Sequence, residues 1–480
     1  MLKQIQKIAI VGGGTAAWLT AAYLRKNTPF NIIVIDKEFG SPVGVGEGTL
    51  LGFDSFLQDC GFDKSEWMIK CDATYKSGIL FPNFGKDDSL IWHPFILNPN
   101  YNEFNSNLYE ALTYIDKKHF NELLPFFNIN LKNKVDLENL ESYGYHVDCG
   151  KLVQFIQNKI IHNLEFVQST VIEINRDSDN NIISIECENG ERISADLFID
   201  CTGFNKVLSN KQNEVDLTTR LFVDTAVAAH VDYIDPIKEK TPFVVSEAVD
   251  HGWIWTIPTN TRIGSGLVFN RSITDTETAK KYFCDYWNNR ISVNDCKIID
   301  WTPFYEITPW QNNKISIGLS AGFIEPLEST GLATIINSIT KLCAVIAAGY
   351  YTKNDIKLYN KYFEIMFEEA TDFVNMHYSH CSQTSEFWRH VNETKSLSET
   401  YHFYKKMIES GEKINNEGKG YIFGGANWLC WMYQILDMYP KNTNINETTA
   451  DKILQDWKEQ LRIAEYKKNI IQHHKLLQKI

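Results

Sequence analysis

The sequence predicts an α/β protein: a Rossmann-type nucleotide-binding domain with an added antiparallel sheet and a helical C-terminal region. Three observations lead there. A strand, a glycine turn and a helix follow one another at the N-terminus; a second strand ends in a glycine turn near residue 200; and after about Ala333 the apolar spacing becomes helical.

The first strand is the apolar run Ile8 to Val11, followed by Gly12-Gly13-Gly14-Thr15-Ala16-Ala17 and a helical pattern through Leu24. Gly12 permits the tight turn, Gly14 lets the backbone approach a pyrophosphate, and Ala17 takes the third small position of the dinucleotide fingerprint. The helix that opens at Thr15 and Ala16 directs its N-terminal N–H groups at phosphate oxygens. A second strand, Ile32 to Ile35, ends at Asp36, at the spacing expected of a carboxylate that accepts the ribose hydroxyls.

NAD and FAD share this fingerprint. The segment Ala195 to Gly203, an apolar strand ending in Asp200-Cys201-Thr202-Gly203, returns the chain toward the nucleotide, and separated segments serving one site favour FAD. Between these segments, Val171 to Ile174, Ile182 to Cys187 and Arg192 to Ile199 read as an antiparallel meander, with turns at 177–181 and Asn189-Gly190. Gly252-Trp253-Ile254-Trp255-Thr256-Ile257-Pro258 reads as a strand whose two tryptophans face one side. Burial habits alone would make them a core pair. Thr225 to Val231 and Gly264 to Phe269 add strands before and after this motif.

Beyond Ala333, Ile356, Tyr359, Phe363, Met366, Ala370 and Phe373 recur at helical spacing, as do Ile453, Trp457, Leu461 and Ala464 after a cap expected at Thr448. Residues 411–425 read as a glycine-rich connection. Two domains are expected: 1–340, the nucleotide-binding α/β core, and 341–480, the helical region.

Composition bounds the function. With 480 residues, 44% of them hydrophobic, the chain can bury a large core, and its net charge of -13 argues against a nucleic-acid binder. Ten scattered cysteines without a Cys-x-x-Cys pair read as reduced thiols, not as a disulfide framework or a metal site. The N-terminus runs straight into the first strand, leaving no room for a signal peptide, and the apolar stretch 342–351 is too short to span a bilayer. A soluble, cytoplasmic protein is expected, without membrane or nucleic-acid partners, possible as a homo-oligomer.

The chain resembles the flavin-dependent halogenases, in particular their tryptophan-halogenase branch. The resemblance rests on the Gly12 to Ala17 turn, Gly44-Val45-Gly46-Glu47-Gly48-Thr49, Lys76 within Thr74 to Ile79, His93-Pro94-Phe95, Asp200 to Phe204, the Trp253/Trp255 motif and the 323–332 segment. It implies FAD, used as FADH2, with O2 and halide as co-substrates and hypohalous acid as the oxidant. Cofactor contacts are implied for Gly12, Gly14, Thr15, Ala16, Ala17, Asp36, Glu47, Asp200 and Gly203. Lys76 matches the lysine that handles the electrophile, and a buried lysine suits that task either as an ammonium donor or as a free amine. Glu328 matches a carboxylate that orients the oxidant or accepts the proton of the arenium intermediate. The resemblance further implies that Ser329 serves as a relay beside it and that the backbone N–H groups of Thr330 and Gly331 hold the halide. Trp253 and Trp255 wall off the flavin cavity, so that organic substrate does not meet the activated flavin. His93 and Phe95 match residues that stack on the substrate ring, with Trp428 and Trp431 as further substrate contacts.

The resemblance also implies that residues 1–340 carry substrate-facing insertions and that 341–480 completes the substrate site. With no second nucleotide fingerprint in the sequence, a separate flavin reductase is the expected partner. Gly48, Leu50, Asn205 and Thr225 depart from the family pattern and the C-terminal third is short, which places indole-like and other small aromatics beside tryptophan as substrates. A flavin-dependent aromatic monooxygenase shares the nucleotide motifs but admits substrate beside the flavin. A non-catalytic flavin-binding protein would need neither Lys76 nor Glu328.

Overall fold

The computed structural model describes residues 3–37, 46–85, 89–95, 111, 121, 124, 127–209, 213–410, 421–436, 446–466 and 470–479. Gly44, Val45 and most of the glycine-rich 411–425 connection lie outside them. Two compact units alternate along the chain: 1–73, 147–218 and 302–368 form one, and 74–146, 219–301 and 369–480 the other. These units follow contacts, whereas the boundary placed at 340 follows hydropathy, and the two cut the chain differently.

The first unit is built on a six-stranded sheet in the order Glu165–Gln168, Asn31–Asp36, Lys7–Val11, Leu197–Asp200, Lys314–Ser316 and Trp310–Gln311. All pairs are parallel except the last. A parallel sheet covered on its faces needs unbroken apolar strands, which Lys7–Val11 and Leu197–Asp200 supply, the latter buried at every position. Helix Thr15–Asn27 packs on helices Cys149–Ile160 and Thr330–Ile346. The meander is present, but the run expected from Arg192 to Ile199 divides. Arg192–Ile193 pairs within the meander, while Leu197–Asp200 lies parallel to Lys7–Val11 in the main sheet, because a strand buried on both faces belongs to the core.

The second unit holds a seven-stranded sheet in the order Lys297–Asp300, Thr225–Val231, Ile263–Phe269, Gly252–Pro258, Val244–Val249, Gly78–Pro82 and Leu90–Pro94. The tryptophan strand is thus flanked by Ile263–Phe269 and Val244–Val249, and Thr225–Val231 stands one strand further out. Trp253 and Trp255 do share a face, with ring centroids 6.2 Å apart. Ile254, on the other face, belongs to a core with Phe269 and Phe283 of helix Thr276–Tyr286.

Helix Lys353–His377 buries Tyr359, Phe363, Met366, Ala370 and Phe373, as their spacing requires. Helix Glu447–Tyr466 begins one residue before Thr448. Its N-terminus is capped by Asn446, whose Oδ1 accepts from the Thr449 N–H at 2.9 Å; asparagine is the stronger N-cap.

The Trp255 ring lies directly over Gly266, its partner on the neighbouring strand, in the space a Cβ would fill. Gly266→Ala is therefore expected to destabilise the protein by about 1–3 kcal/mol through overpacking. Denaturant unfolding of the two proteins measures this; equal midpoints would show that the ring moves aside freely.

Candidate functional site

Three features of the first unit suit a dinucleotide. Gly12 has φ +122°, in the region glycine alone enters readily, and a Cβ there would strike the Cys201 carbonyl. Asp36, at the end of the second strand, places its carboxylate where a Gly13 side chain would stand, so Gly13 is required to be small, a constraint the fingerprint reading assigned to its neighbours. Gly14, by contrast, has extended backbone and no atom within 4 Å of a Cβ position, so its smallness serves something the chain itself does not supply.

Helix Thr15–Asn27 has no side-chain cap on its N-terminal N–H groups and no acidic residue in its first turn. Uncapped N–H groups beside open space suit a pyrophosphate, so these residues fit FAD. Thr15 and Ala16 are half-buried and Ala17 is buried in the helix interior.

Asp200 is fully buried, and its carboxylate is engaged by its own loop. Oδ1 accepts from the Thr202 N–H at 3.0 Å and the Thr202 hydroxyl at 2.6 Å, and Oδ2 accepts from the Leu208 N–H at 2.8 Å. It shapes the turn through Gly203, whose φ is +65°. Glu47 is half-buried as a residue, but its carboxyl is desolvated, which raises its pKa; a hydrogen bond with Cys149 acts the other way.

Glu328 is fully buried in the short 3-10 turn Pro326–Glu328. Ser329 follows at φ +57°, a left-handed conformation uncommon outside glycine and asparagine, and turns the chain into helix Thr330–Ile346. That helix, too, has neither a side-chain cap nor an acid in its first turn, and the space beside Gly331 is open. N–H groups at Thr330 and Gly331 without a side-chain cap among the described residues suit a small anion.

In the second unit, Lys76 lies on strand Thr74–Lys76 and has no exposed surface. Its Nζ stands 4.8 Å from the centroid of the Phe95 ring, within cation–π range. Phe95 is held there by its own N–H, which donates to the Ser77 carbonyl at 2.9 Å. His93, also buried, is 3.0 Å through Nε2 from Asn427 Oδ1 and 5.4 Å from the Phe373 ring. Phe373 stacks on Phe423 at 4.2 Å and meets Trp428 edge-on at 5.5 Å. Sequence reading missed Phe373, Phe423 and Asn427, because only the fold brings them to His93.

Trp431 is fully buried, its ring centroid 3.7 Å from that of His377 and 4.7 Å from that of Phe81. Trp253 donates its indole N–H to the Tyr378 hydroxyl at 3.0 Å, and the Trp255 Nε1 finds no partner among the described residues.

Glu369 gathers the N–H groups of Tyr421, Ile422 and Phe423 on its carboxylate and so seats the segment that carries Phe423. Burial raises its pKa despite these donors. Among the described residues no group of three or more His, Cys, Asp or Glu is arranged to hold a metal, and no helix is long and apolar enough to cross a membrane.

A flavin-dependent halogenase from Xanthomonas campestris superposes with a TM-score of 0.88 at 23% identity, covering 99% of this chain and 98% of that one. A tryptophan halogenase from Shewanella frigidimarina does so with a TM-score of 0.88 at 25% identity and the same coverage. In sequence, tryptophan 6-halogenase ThaL of Streptomyces albogriseolus is 28% identical over 88% of this chain and 86% of its own length. Tryptophan 7-halogenase RebH of Lentzea aerocolonigenes is 28% identical over 86% and 84%. The tryptophan halogenase family model matches residues 7–450, and the chain belongs to that family.

Two outcomes test the nucleotide unit. Gly14→Val fills the open space at the helix N-terminus and should weaken FAD binding at least about tenfold, the equivalent of 1.4 kcal/mol. Fluorescence titration with FAD reads it, and unchanged affinity would remove the pyrophosphate from this turn.

Glu47→Gln tests desolvation. A carboxyl whose folded pKa is raised contributes fully below its ordinary 4.5 and loses that contribution as pH rises through the folded value, whereas glutamine does not titrate. The variant should therefore match the parent at pH 4 and melt higher at pH 8; a gain confined to acid pH would reverse the assignment.

Proposed function

We propose that this protein is an FADH2- and O2-dependent halogenase that delivers hypohalous acid to an electron-rich aromatic substrate: tryptophan, an indole-like compound or a related small aromatic. The observation that carries this reading is Lys76, a lysine without exposed surface whose Nζ lies over the Phe95 ring. A buried amine beside an aromatic wall is what transfer of a halogen cation to a ring requires. A flavin monooxygenase, which places oxygen directly from the flavin on its substrate, has no use for it.

Reduced FAD, bound at the Gly12 to Ala17 turn with Asp36 on the ribose and Glu47 and the 200–203 turn contributing, supplies hypohalous acid from O2 and halide. The N–H groups of Thr330 and Gly331 hold the halide. Trp253 and Trp255 line the flavin cavity and exclude the organic substrate. Lys76 receives the oxidant and presents its halogen to the ring, which His93 and Phe95 hold by stacking, with Trp428 behind Phe373 and the helices of 341–480 completing the enclosure. Glu328 accepts the proton released when the ring regains aromaticity, with Ser329 relaying. A separate reductase supplies FADH2.

Lys76→Ala should abolish halogenation, by about 100-fold or more, while FAD binding and oxygen consumption continue and oxidant escapes into solution. Lys76→Arg should not rescue, since a guanidinium does not become a free amine. Glu328→Gln should slow transfer less completely. Chemically reduced FAD with chloride, bromide or iodide and a panel of aromatics, read by mass spectrometry, is the assay. Parental turnover in the alanine variant would remove Lys76 from the mechanism, and halide-independent hydroxylation would favour the monooxygenase.

A further inference from the structure

Helix Gly425–Ile435 carries Asn427 and Trp428 to the His93 cluster, and its own sequence does not fix where it starts. Gly424, at the N-cap, has no side chain to cap with, and the first turn holds no acid. The far end is tied to the strand of His93. Gln434 accepts from the Trp92 N–H through Oε1 at 2.8 Å and donates through Nε2 to the Trp92 carbonyl at 2.9 Å. About two helical turns earlier, Asn427 Oδ1 stands 3.0 Å from His93 Nε2.

The near end is fixed from another helix, by Glu369. Residues 421–423 turn successive N–H groups to its carboxylate: Oε2 accepts from Tyr421 at 2.8 Å, Oε1 from Ile422 at 2.8 Å, and Oε1 also from Phe423. Phe373 lies one turn further along Lys353–His377, on the same face as Glu369. Its ring stacks on the Phe423 ring at 4.2 Å, and the Phe423 ring lies 6.3 Å from that of His93. The backbone of Phe423 is thus held by one residue and its ring by another, which fixes both the place and the rotation of the chain as it enters the helix.

The charge matters to this hold. Hydrogen bonds to a carboxylate are stronger than the same bonds to a neutral amide. Glutamine would offer one acceptor oxygen and turn an NH2 donor toward the remaining N–H groups.

On the reading of His93 as a contact to the substrate ring, we propose that Glu369 is a positioning residue for the aromatic substrate. By holding the entry to helix Gly425–Ile435 it sets Asn427 and Phe423 against His93, and with them the orientation of the His93 ring. When the carboxylate is lost, the near end of the helix shifts while Gln434 keeps the far end on the strand. The consequence falls on affinity for the aromatic ring and not on formation of the oxidant.

Glu369→Gln is assayed with chemically reduced FAD, bromide and either indole or L-tryptophan. KM for the aromatic should rise about tenfold, while kcat stays within about twofold and FADH2 reoxidation by O2 is unchanged. Glu369→Asp, which keeps the charge and two acceptor oxygens on a shorter stem, should recover part of the loss. A parental KM in the glutamine variant would overturn the proposal, as would losses in kcat and FADH2 reoxidation that match the loss in affinity.

A mutant cycle separates positioning from simple anchoring. If Glu369 acts through His93, Glu369→Gln should cost nothing further in a His93→Ala protein; losses that add in full would overturn the proposal. Should the glutamine variant fail to fold, Asn427→Ala removes the link to His93 and leaves all three N–H bonds to Glu369 in place, and a parental KM there would be equally fatal. Calorimetric titration with indole or L-tryptophan reads the same affinities without turnover. A parent that binds the probe, loses that affinity in the glutamine variant and yet halogenates nothing would remove the halogenase reading and leave the positioning role standing.

Discussion

The second unit depends on one hydrogen bond above others, from the Thr74 hydroxyl to the carbonyl of Pro258. It ties the start of the lysine strand to the end of the tryptophan strand, two elements that lie 184 residues apart in the chain. A buried hydroxyl with a single proton enforces direction as well as distance: given to Pro258, it leaves the oxygen to accept from His146 Nδ1, 2.7 Å away. Proline contributes in its own way, since its carbonyl accepts while its missing N–H leaves no competing donor at that strand end.

The first unit leaves two helix N-termini, at Thr15 and at Thr330, without side-chain caps or acids in their opening turns. N-capping by serine, threonine or aspartate is the usual way to satisfy those donors, and helices Lys64–Lys70, Cys149–Ile160 and Thr276–Tyr286 of this same chain are capped by Asp63, Asp148 and Asp275. Helix Gly425–Ile435 is open in the same way, so an uncapped start permits an anion without by itself identifying one. Asp200 serves the turn in another way: its carboxylate accepts from the Thr202 N–H and hydroxyl and the Leu208 N–H, and so builds the turn through Gly203.

Much of this was legible in the sequence, and the physical reason is locality. The glycine turn, Asp36 and the paired tryptophans are each set by a few adjacent residues whose period or conformational demand can be read along the chain, whereas Lys76 was singled out by resemblance alone. Gly13 was not legible, because the need for a small residue there comes from Asp36, more than twenty positions away. Glu369 was invisible for the same reason. A glutamate among others in a helical run has no pattern of its own, and its meaning arises only when the fold brings the N–H groups of Tyr421, Ile422 and Phe423, more than fifty residues distant, to its carboxylate.

An ammonium without exposed surface is unfavourable unless something replaces its hydration. Around Lys76 the fold provides the face of the Phe95 ring, which attracts a cation and replaces part of the hydration that burial removes.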